Sequence, residues 1–126
     1  MGQKVNPISM RLQVTKDWRS KWFAPKKDFA AWLSQDIKVR QTIEERFATR
    51  AVINRIDIER SANMTTVTIH TAKAGVVIGR GGAGVQEIRI ALEKIMGMTV
   101  RVNIEEVKRP ELAAKIVAEN IARQIE

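Results

Sequence analysis

A run of glycines in the second half of the chain constrains the fold and the chemistry more than any other feature of the sequence. Residues 78–88 read IGRGGAGVQEI, so that Gly79, Gly81 and Gly82 fall within four positions. Glycine permits positive φ and lets another backbone come close. Apolar residues at helical spacing follow, and unpaired N–H groups and the helix dipole at a helix start favour a phosphate. With Arg80 as a cation, the run predicts a phosphate-binding loop rather than an ordinary tight turn.

Two kinds of apolar spacing surround this loop. Helical spacing predicts a helix over residues 26–47, a second helix that follows the glycines and ends at Gly97, and a last helix that begins at Pro110. The apolar residues of the first helix are Phe29, Trp32, Leu33, Ile37, Ile43 and Phe47, and those of the last are Ala114, Val117, Ala118, Ile121 and Ile125. Residues 1–14 are expected to be extended or looped.

Alternating apolar and polar residues predict three strands, over residues 54–59, 65–71 and 99–105. Residues 61–63 supply a turn that joins the first two in a hairpin. Strands that alternate have one face in water, so the helices are expected on the other face only. The sequence therefore predicts an α+β fold with a three-stranded sheet and helices packed on one face.

Charge is concentrated at the N-terminus and points to a polyanionic partner. The chain has a net charge of +8, and its first 27 residues contain seven Lys and Arg against one Asp.

No apolar run approaches the roughly 20 residues of a membrane span, which predicts a soluble protein. With one histidine, no cysteine and no set of metal ligands, the chain is expected to be neither an enzyme nor a metalloprotein. The single His70 is expected to be structural, and no cofactor is predicted.

Two nucleotide-binding motifs compete for the same glycines. A nucleotide P-loop requires Lys and then Ser or Thr after its last glycine, and this chain has neither there. The dinucleotide fingerprint is matched by Gly79-x-Gly81-x-x-Gly84, with Glu105 about twenty residues further on. However, a parallel α/β strand would be apolar on both faces, whereas the strand that follows alternates. Dinucleotide binding is therefore kept as the weaker alternative.

The sequence from Val77 to Ile88 resembles the KH signature, with its GXXG loop at Gly79-Arg80-Gly81-Gly82. KH modules clamp the backbone of about four unpaired nucleotides with this loop. Two strands before the loop unit and one after it resemble the type II KH arrangement. The resemblance implies a basic N-terminal arm at residues 1–25, a type II KH domain with its leading helix at 26–107, and a C-terminal helix at 108–126.

The N-terminal sequence resembles the bacterial-type family of small-subunit ribosomal protein S-three. The resemblance is carried by MGQKVNP at residues 1–7, Arg11-Leu12, Trp18, Trp22-Phe23-Ala24 and Lys27-Asp28-Phe29. It implies a structural, cytoplasmic or organellar ribosomal protein that binds ribosomal RNA near the path by which mRNA enters. It also implies small-subunit proteins ten and fourteen as neighbours. The alternative is a KH RNA-binding module outside the ribosome.

Three positions or regions depart from the family pattern. Asn6 replaces a frequent His, Ile8-Ser9-Met10 replaces a segment that commonly contains Gly, and the family usually continues into a second α/β domain beyond the position of Glu126. We therefore expect the chain to correspond to the N-terminal portion of such a protein.

The loop and the basic residues around it and in the arm form the predicted RNA-binding set. These residues are Gly79, Arg80, Gly81, Gly82, Lys73, Arg89, Lys4 and Arg11. Trp18 and Trp22 either stack on RNA bases or pin the arm to its own domain, and pinning is the interpretation we favour.

Overall fold

The computed structural model describes residues 1–126. Its helices and strands, in chain order, are α1 (Pro7–Met10), β1 (Ser20–Lys21), α2 (Phe29–Phe47), β2 (Ile53–Arg60), β3 (Met64–Thr71), α3 (Ala74–Ile78), α4 (Ala83–Met96), β4 (Thr99–Glu106) and α5 (Ala114–Ile125). Single 3-10 turns at Arg80–Gly82 and Pro110–Leu112 precede α4 and α5. The hairpin, the glycine loop, the helix that follows it and the next strand lie where the sequence predicts them.

The sheet has four strands in the order β1-β2-β3-β4, so the prediction of three strands was wrong. The additional strand β1 comes from the arm and runs parallel to β2, with Ser20 opposite Ile58. The amide of Ile58 donates to the carbonyl oxygen of Arg19 at 2.8 Å. A two-residue strand is too short to produce an alternating pattern, and for this reason the sequence did not reveal it.

The helices cover one face of the sheet, as the alternating strands predicted. The side chains of Ile56 and Ile58 on β2 and of Val67 and Ile69 on β3 are buried against them. The helical residues of this core are Val39, Ile43 and Phe47 on α2, Val77 on α3, and Ile88, Leu92 and Met96 on α4. Strand β3 pairs antiparallel with β2 and parallel with β4. The opposite face is polar and open.

The N-terminal half of α2 differs from its prediction in both boundary and buried face. The helix begins at Phe29 rather than at residue 26, because residues 25–28 form a turn. In this turn the amide of Asp28 donates to the carbonyl oxygen of Pro25. Leu33 and Ile37 are 45% and 49% exposed, whereas Asp36 is buried. The inward position is thus taken by a carboxylate, which requires a buried partner.

That partner is Arg60 at the end of β2. Its Nε and one of its Nη atoms both donate to Oδ1 of Asp36, and each of the two side chains is only 4% exposed. The guanidinium lies 5.1 Å from the ring centroid of Trp32, which packs in this ion-pair cluster and not in the apolar core expected for it. Trp22 of the arm donates through Nε1 to Oδ2 of Asp36 at 2.7 Å. The pinning role is confirmed for Trp22.

The arm is held at a second point by Arg40 of α2. One Nη atom donates to Oγ of Ser20 at 2.7 Å, and the other donates to the carbonyl oxygen of Ile56. Burial lowers the pKa of Arg40, and the charge of Asp36 opposes this effect. Residues 19–22 therefore form part of the folded domain and are not a free tail.

Helix α1 corrects the expectation that residues 1–14 are extended or looped. The side chain of Asn6 accepts from the amide of Ile8 at 2.9 Å, and Pro7 occupies the first helical position. Both features favour a helix start. Proline disfavours helix in the residue before it but is tolerated in the first turn, so Asn6 stays extended while the chain from Pro7 onward forms a helix.

The last helix begins at Ala114 and not at Pro110, since Ala113 is extended and separates it from the 3-10 turn. Its buried residue is Ile116, whereas Ile121 and Ile125 of the predicted apolar face are exposed. Next to Ile116, Lys115 forms an ion pair with Glu44 of α2 at 2.6 Å. The side of α5 that contacts the domain is therefore not the predicted apolar face. No helix of the fold combines the length and apolar character that crossing a bilayer would take.

Candidate nucleic-acid interface

The glycine loop connects α3 to α4 through backbone conformations that only glycine adopts easily. Gly79, Gly81 and Gly82 have φ of 74°, 60° and 81°. An L side chain in the left-handed region costs roughly 1–2 kcal/mol per residue. The backbone conformation of the loop therefore requires glycine at these three positions, and it turns the chain sharply between the two helices.

The amides of Arg80 and Gly81 are available to a ligand. Neither donates to a backbone carbonyl of the chain, and both residues are exposed. A Cβ built on Gly81 or Gly82 would meet no atom within 4 Å, so the space beside the loop is open. These amides lie just before the first turn of α4, a 14-residue helix whose N-terminus carries partial positive charge. The arrangement can accept an anionic oxygen through backbone donors.

Arg80 is the one predicted cation that lies in the loop itself. Its side chain is exposed and forms no ion pair. Lys73 occupies the N-cap position of α3 without a capping hydrogen bond from its side chain, is exposed and is likewise unpaired. Arg89 lies two turns into α4 and is engaged by Glu93, with Nε 3.0 Å from the carboxylate. Arg80 and Lys73 thus have free charges, while that of Arg89 is shared with an acid.

The two predicted arm cations lie away from the loop. Lys4 and Arg11 are exposed, and Arg11 donates to the carbonyl oxygen of Pro7 at 3.2 Å. The arm joins the sheet beside β2, whereas α3 and α4 pack near β4 at the other end of the strand order. Any RNA that contacts both would have to pass around the sheet. The fold therefore separates the predicted set into a loop group and an arm group.

Gly84 is a structural determinant of the loop that sequence reasoning assigned only to the dinucleotide fingerprint. A Cβ on Gly84 would lie 2.6 Å from the carbonyl oxygen of Val77 and 3.0 Å from that of Ile78. A Cβ on Gly79 would lie 3.1 Å from the amide nitrogen of Gly84. These two glycines let the ends of α3 and α4 touch, which sets the shape of the loop between them. Their five-residue spacing was the available signal.

We expect Gly84→Ala to destabilise the protein by about 1–3 kcal/mol, because the added methyl group forces two backbones apart. Urea unfolding followed by circular dichroism measures this change. Gly75→Ala is the matched control, since Gly75 lies in α3 and a Cβ there meets nothing within 4 Å. The control should be neutral or slightly stabilising. Equal stability of the two variants would contradict the close approach.

The surroundings of the loop exclude the dinucleotide interpretation. In that fingerprint the first glycine follows a strand, but residues Ala74–Ile78 are a helix. The sheet is also not a doubly wound parallel sheet, since β2 and β3 are antiparallel. The helix-loop-helix unit is instead flanked by two strands before it and one after it, as expected for the type II KH arrangement.

Known proteins match the chain both in its central region and along its length. The family described as KH domain matches residues 38–112, which include the loop. "Small ribosomal subunit protein uS3" of Pelotomaculum thermopropionicum is 54% identical over all 126 residues, and the protein of the same name from Bacillus anthracis is 55% identical over the same span. The chain covers 54% and 57% of these relatives, so it spans just over half of their length. On this match and this geometry, the chain belongs to the KH domain family, with similarity to the uS3 proteins from its first residue to its last.

Proposed function

We propose that the chain is the RNA-binding N-terminal portion of a structural, non-enzymatic constituent of the small ribosomal subunit. In this proposal the loop Gly79–Gly82 clamps the sugar-phosphate backbone of ribosomal RNA. The observation that carries the proposal is the pair of unengaged amides at Arg80 and Gly81, which precede a long helix and have open space beside them. The similarity to uS3 proteins along the whole chain supports the ribosomal assignment.

The physical basis of the clamp is backbone donation to phosphate. The absence of side chains at the glycines lets the RNA strand approach the loop closely. Arg80 then supplies a mobile cation, and no acid pairs with it in the free protein. Such contacts position a strand but do not read its sequence. We therefore expect the loop to prefer unpaired or irregular RNA with little base preference of its own.

The remaining predicted contacts have supporting roles in this proposal. Lys73 extends the loop group, while Lys4 and Arg11 reach phosphates from the arm. Arg89 contributes only if RNA competes with Glu93 for its guanidinium. We assign residues 1–25 to the arm, 26–107 to the KH domain with its leading helix, and 108–126 to a connecting helix.

The family resemblance also suggests specific neighbours for the chain on the small subunit. We propose that the chain lies in the head of the small subunit beside proteins ten and fourteen, near the path by which mRNA enters, and that it contacts mRNA there. The corresponding location is the ribosome of the cytoplasm. Co-sedimentation tests the assignment, since the chain added to subunits that lack this protein should pellet with them. A chain that binds RNA but stays in the supernatant would favour a KH module outside the ribosome.

We expect the affinity for single-stranded RNA to fall steeply with salt. If the loop neutralises about four phosphates, the affinity should drop roughly 50-fold between about 50 mM and about 200 mM monovalent salt, through counterion release. Filter binding over this salt range measures the slope. Calorimetry with NAD is the counter-test, because micromolar affinity for the dinucleotide together with a flat salt dependence would overturn the proposal.

A further inference from the structure

The two tryptophans of the arm have different environments. Trp22 packs at 5.4 Å from Phe29 and 5.6 Å from Trp32, and its Nε1 is bonded to Asp36. Trp18 has no aromatic partner, its indole nitrogen forms no hydrogen bond, and it is 56% exposed. A large aromatic side chain that pins nothing and remains half exposed is a candidate for contact with another molecule.

Trp18 lines a groove between the arm and the open face of the sheet. The groove has a volume of about 1240 Å³, and residues 6–21 form one of its walls. Arg55, Asp57, Thr68 and His70 of β2 and β3 line the other side and are polar. Small-molecule pockets are usually about 300–1,000 Å³, so this wide and open groove fits a segment of a polymer better than a compact metabolite.

Three of the four acids of the groove are engaged by neighbours within the fold. Asp17 accepts from Lys21 at 2.7 Å and from the amide of Trp18 at 2.8 Å. The hydrogen bond from Lys21, followed by that from the Trp18 amide, lowers the pKa of Asp17.

On the sheet, Asp57 is 3.3 Å from Arg55 and 2.9 Å from the ring of His70, while His70 also faces Glu105 at 3.4 Å. Glu59 is the strand partner of Lys21. Asp17, Asp57 and Glu105 therefore have basic partners, while Glu59 forms no ion pair.

Two cations beside Trp18 have no acidic partner. Lys16 and Arg19 line the same groove, and neither side chain forms an ion pair in the fold. They lie two residues before and one residue after Trp18 along the arm. An exposed indole between two free cations is the combination that single-strand-binding proteins use, in which bases stack on the aromatic ring and phosphates meet the cations.

We propose that Trp18 is a stacking platform for an unpaired RNA base, and that Lys16 and Arg19 hold the phosphates on either side of that base. The proposal rests on the proposed RNA-binding function and adds to it a second contact point, away from the glycine loop, for the same RNA strand. Val14, also exposed in this segment, is compatible with it because flipped or unstacked bases commonly lie against apolar as well as aromatic side chains. A polar groove wall argues for RNA over an apolar protein surface.

The test is equilibrium binding, to the whole chain, of a single-stranded oligoadenylate long enough to reach both the groove and the glycine loop. Trp18→Ala should weaken binding roughly 5- to 150-fold, the range found when a base loses its stacking partner. Trp18→Phe should retain most of the affinity, and RNA should quench the fluorescence of the wild type more than that of Trp18→Phe. Phe23→Ala is the matched control, since Phe23 is an arm aromatic that is 90% exposed and lies outside the groove.

Salt dependence separates the base from the phosphates. Trp18→Ala should keep the wild-type slope of log affinity against log salt concentration. Lys16→Ala combined with Arg19→Ala should reduce the magnitude of that slope by about 1.4, at about 0.7 per phosphate contact. Wild-type affinity in Trp18→Ala, with binding still lost on changing the glycine loop, would overturn this inference alone. Failure of the wild-type chain to bind RNA at all would overturn the proposed function as well.

Discussion

Replacing Arg80 and Gly81 together by Asp is expected to abolish detectable RNA binding, a loss of more than about 100-fold, while the fold stays intact. The change removes the loop cation and places two carboxylates beside the amides that would receive a phosphate, so that attraction becomes repulsion over a few ångströms. Gly81 has open space beside it, and Asp is among the few residues that tolerate its left-handed conformation. Filter binding measures the loss, and circular dichroism checks the fold.

The opposite end of α4 offers a control with the same change in net charge. Lys94 is exposed and unpaired, and Gly97 has φ of 68° with no atom near its Cβ position. Lys94→Asp combined with Gly97→Asp therefore matches both the charge and the backbone cost of the loop variant. We expect the control to retain most of the affinity. An equal loss in both variants would mean that overall charge, and not the loop, binds RNA.

The largest effect on stability is expected from Asp36→Ala, at about 3–5 kcal/mol. Removing one partner of a buried ion pair leaves the other charge desolvated and unpaired. Here the charge left behind is the guanidinium of Arg60, which is 4% exposed, and the arm also loses the hydrogen bond from Trp22. For a domain of this size, the melting temperature should fall by about 10–20 °C. Calorimetry measures the transition.

Limited trypsin digestion adds a readout for the arm in the same variant. Because Trp22 anchors the arm through Asp36, cleavage after Lys21 should become faster in Asp36→Ala than in the wild type. Glu44→Ala is the control, since it breaks the exposed pair with Lys115 and should cost less than about 1 kcal/mol. Similar melting temperatures for the two variants would show that the buried pair adds no more stability than a surface pair.

Several features of the candidate site were readable without coordinates because they are local. A backbone that needs positive φ selects glycine at that position, so Gly79, Gly81 and Gly82 revealed the loop directly. The helix end at Gly97 followed from the same rule. The alternation of apolar and polar residues along the strands likewise indicates which face of the sheet is exposed to solvent. It correctly predicted that the helices pack on one face.

Other features depend on residues far apart in the sequence. Asp36 and Arg60 are 24 residues apart, and their pairing turned α2 so that Leu33 and Ile37 face solvent. A helix with apolar residues on more than one side does not reveal which side is buried. The same ambiguity led to the wrong face for α5, where Ile116 is the buried residue.

The sequence by itself determined the order of the elements from the hairpin onward and the position of the glycine loop, because periodicity and backbone conformation are properties of short segments. Only the tertiary structure decided that Trp22 is anchored and Trp18 free, that the arm adds a fourth strand, and that Gly84 brings two helices into contact. Each of these outcomes is set by an atom from a different segment of the chain, and a one-dimensional pattern carries no information about which segments will meet.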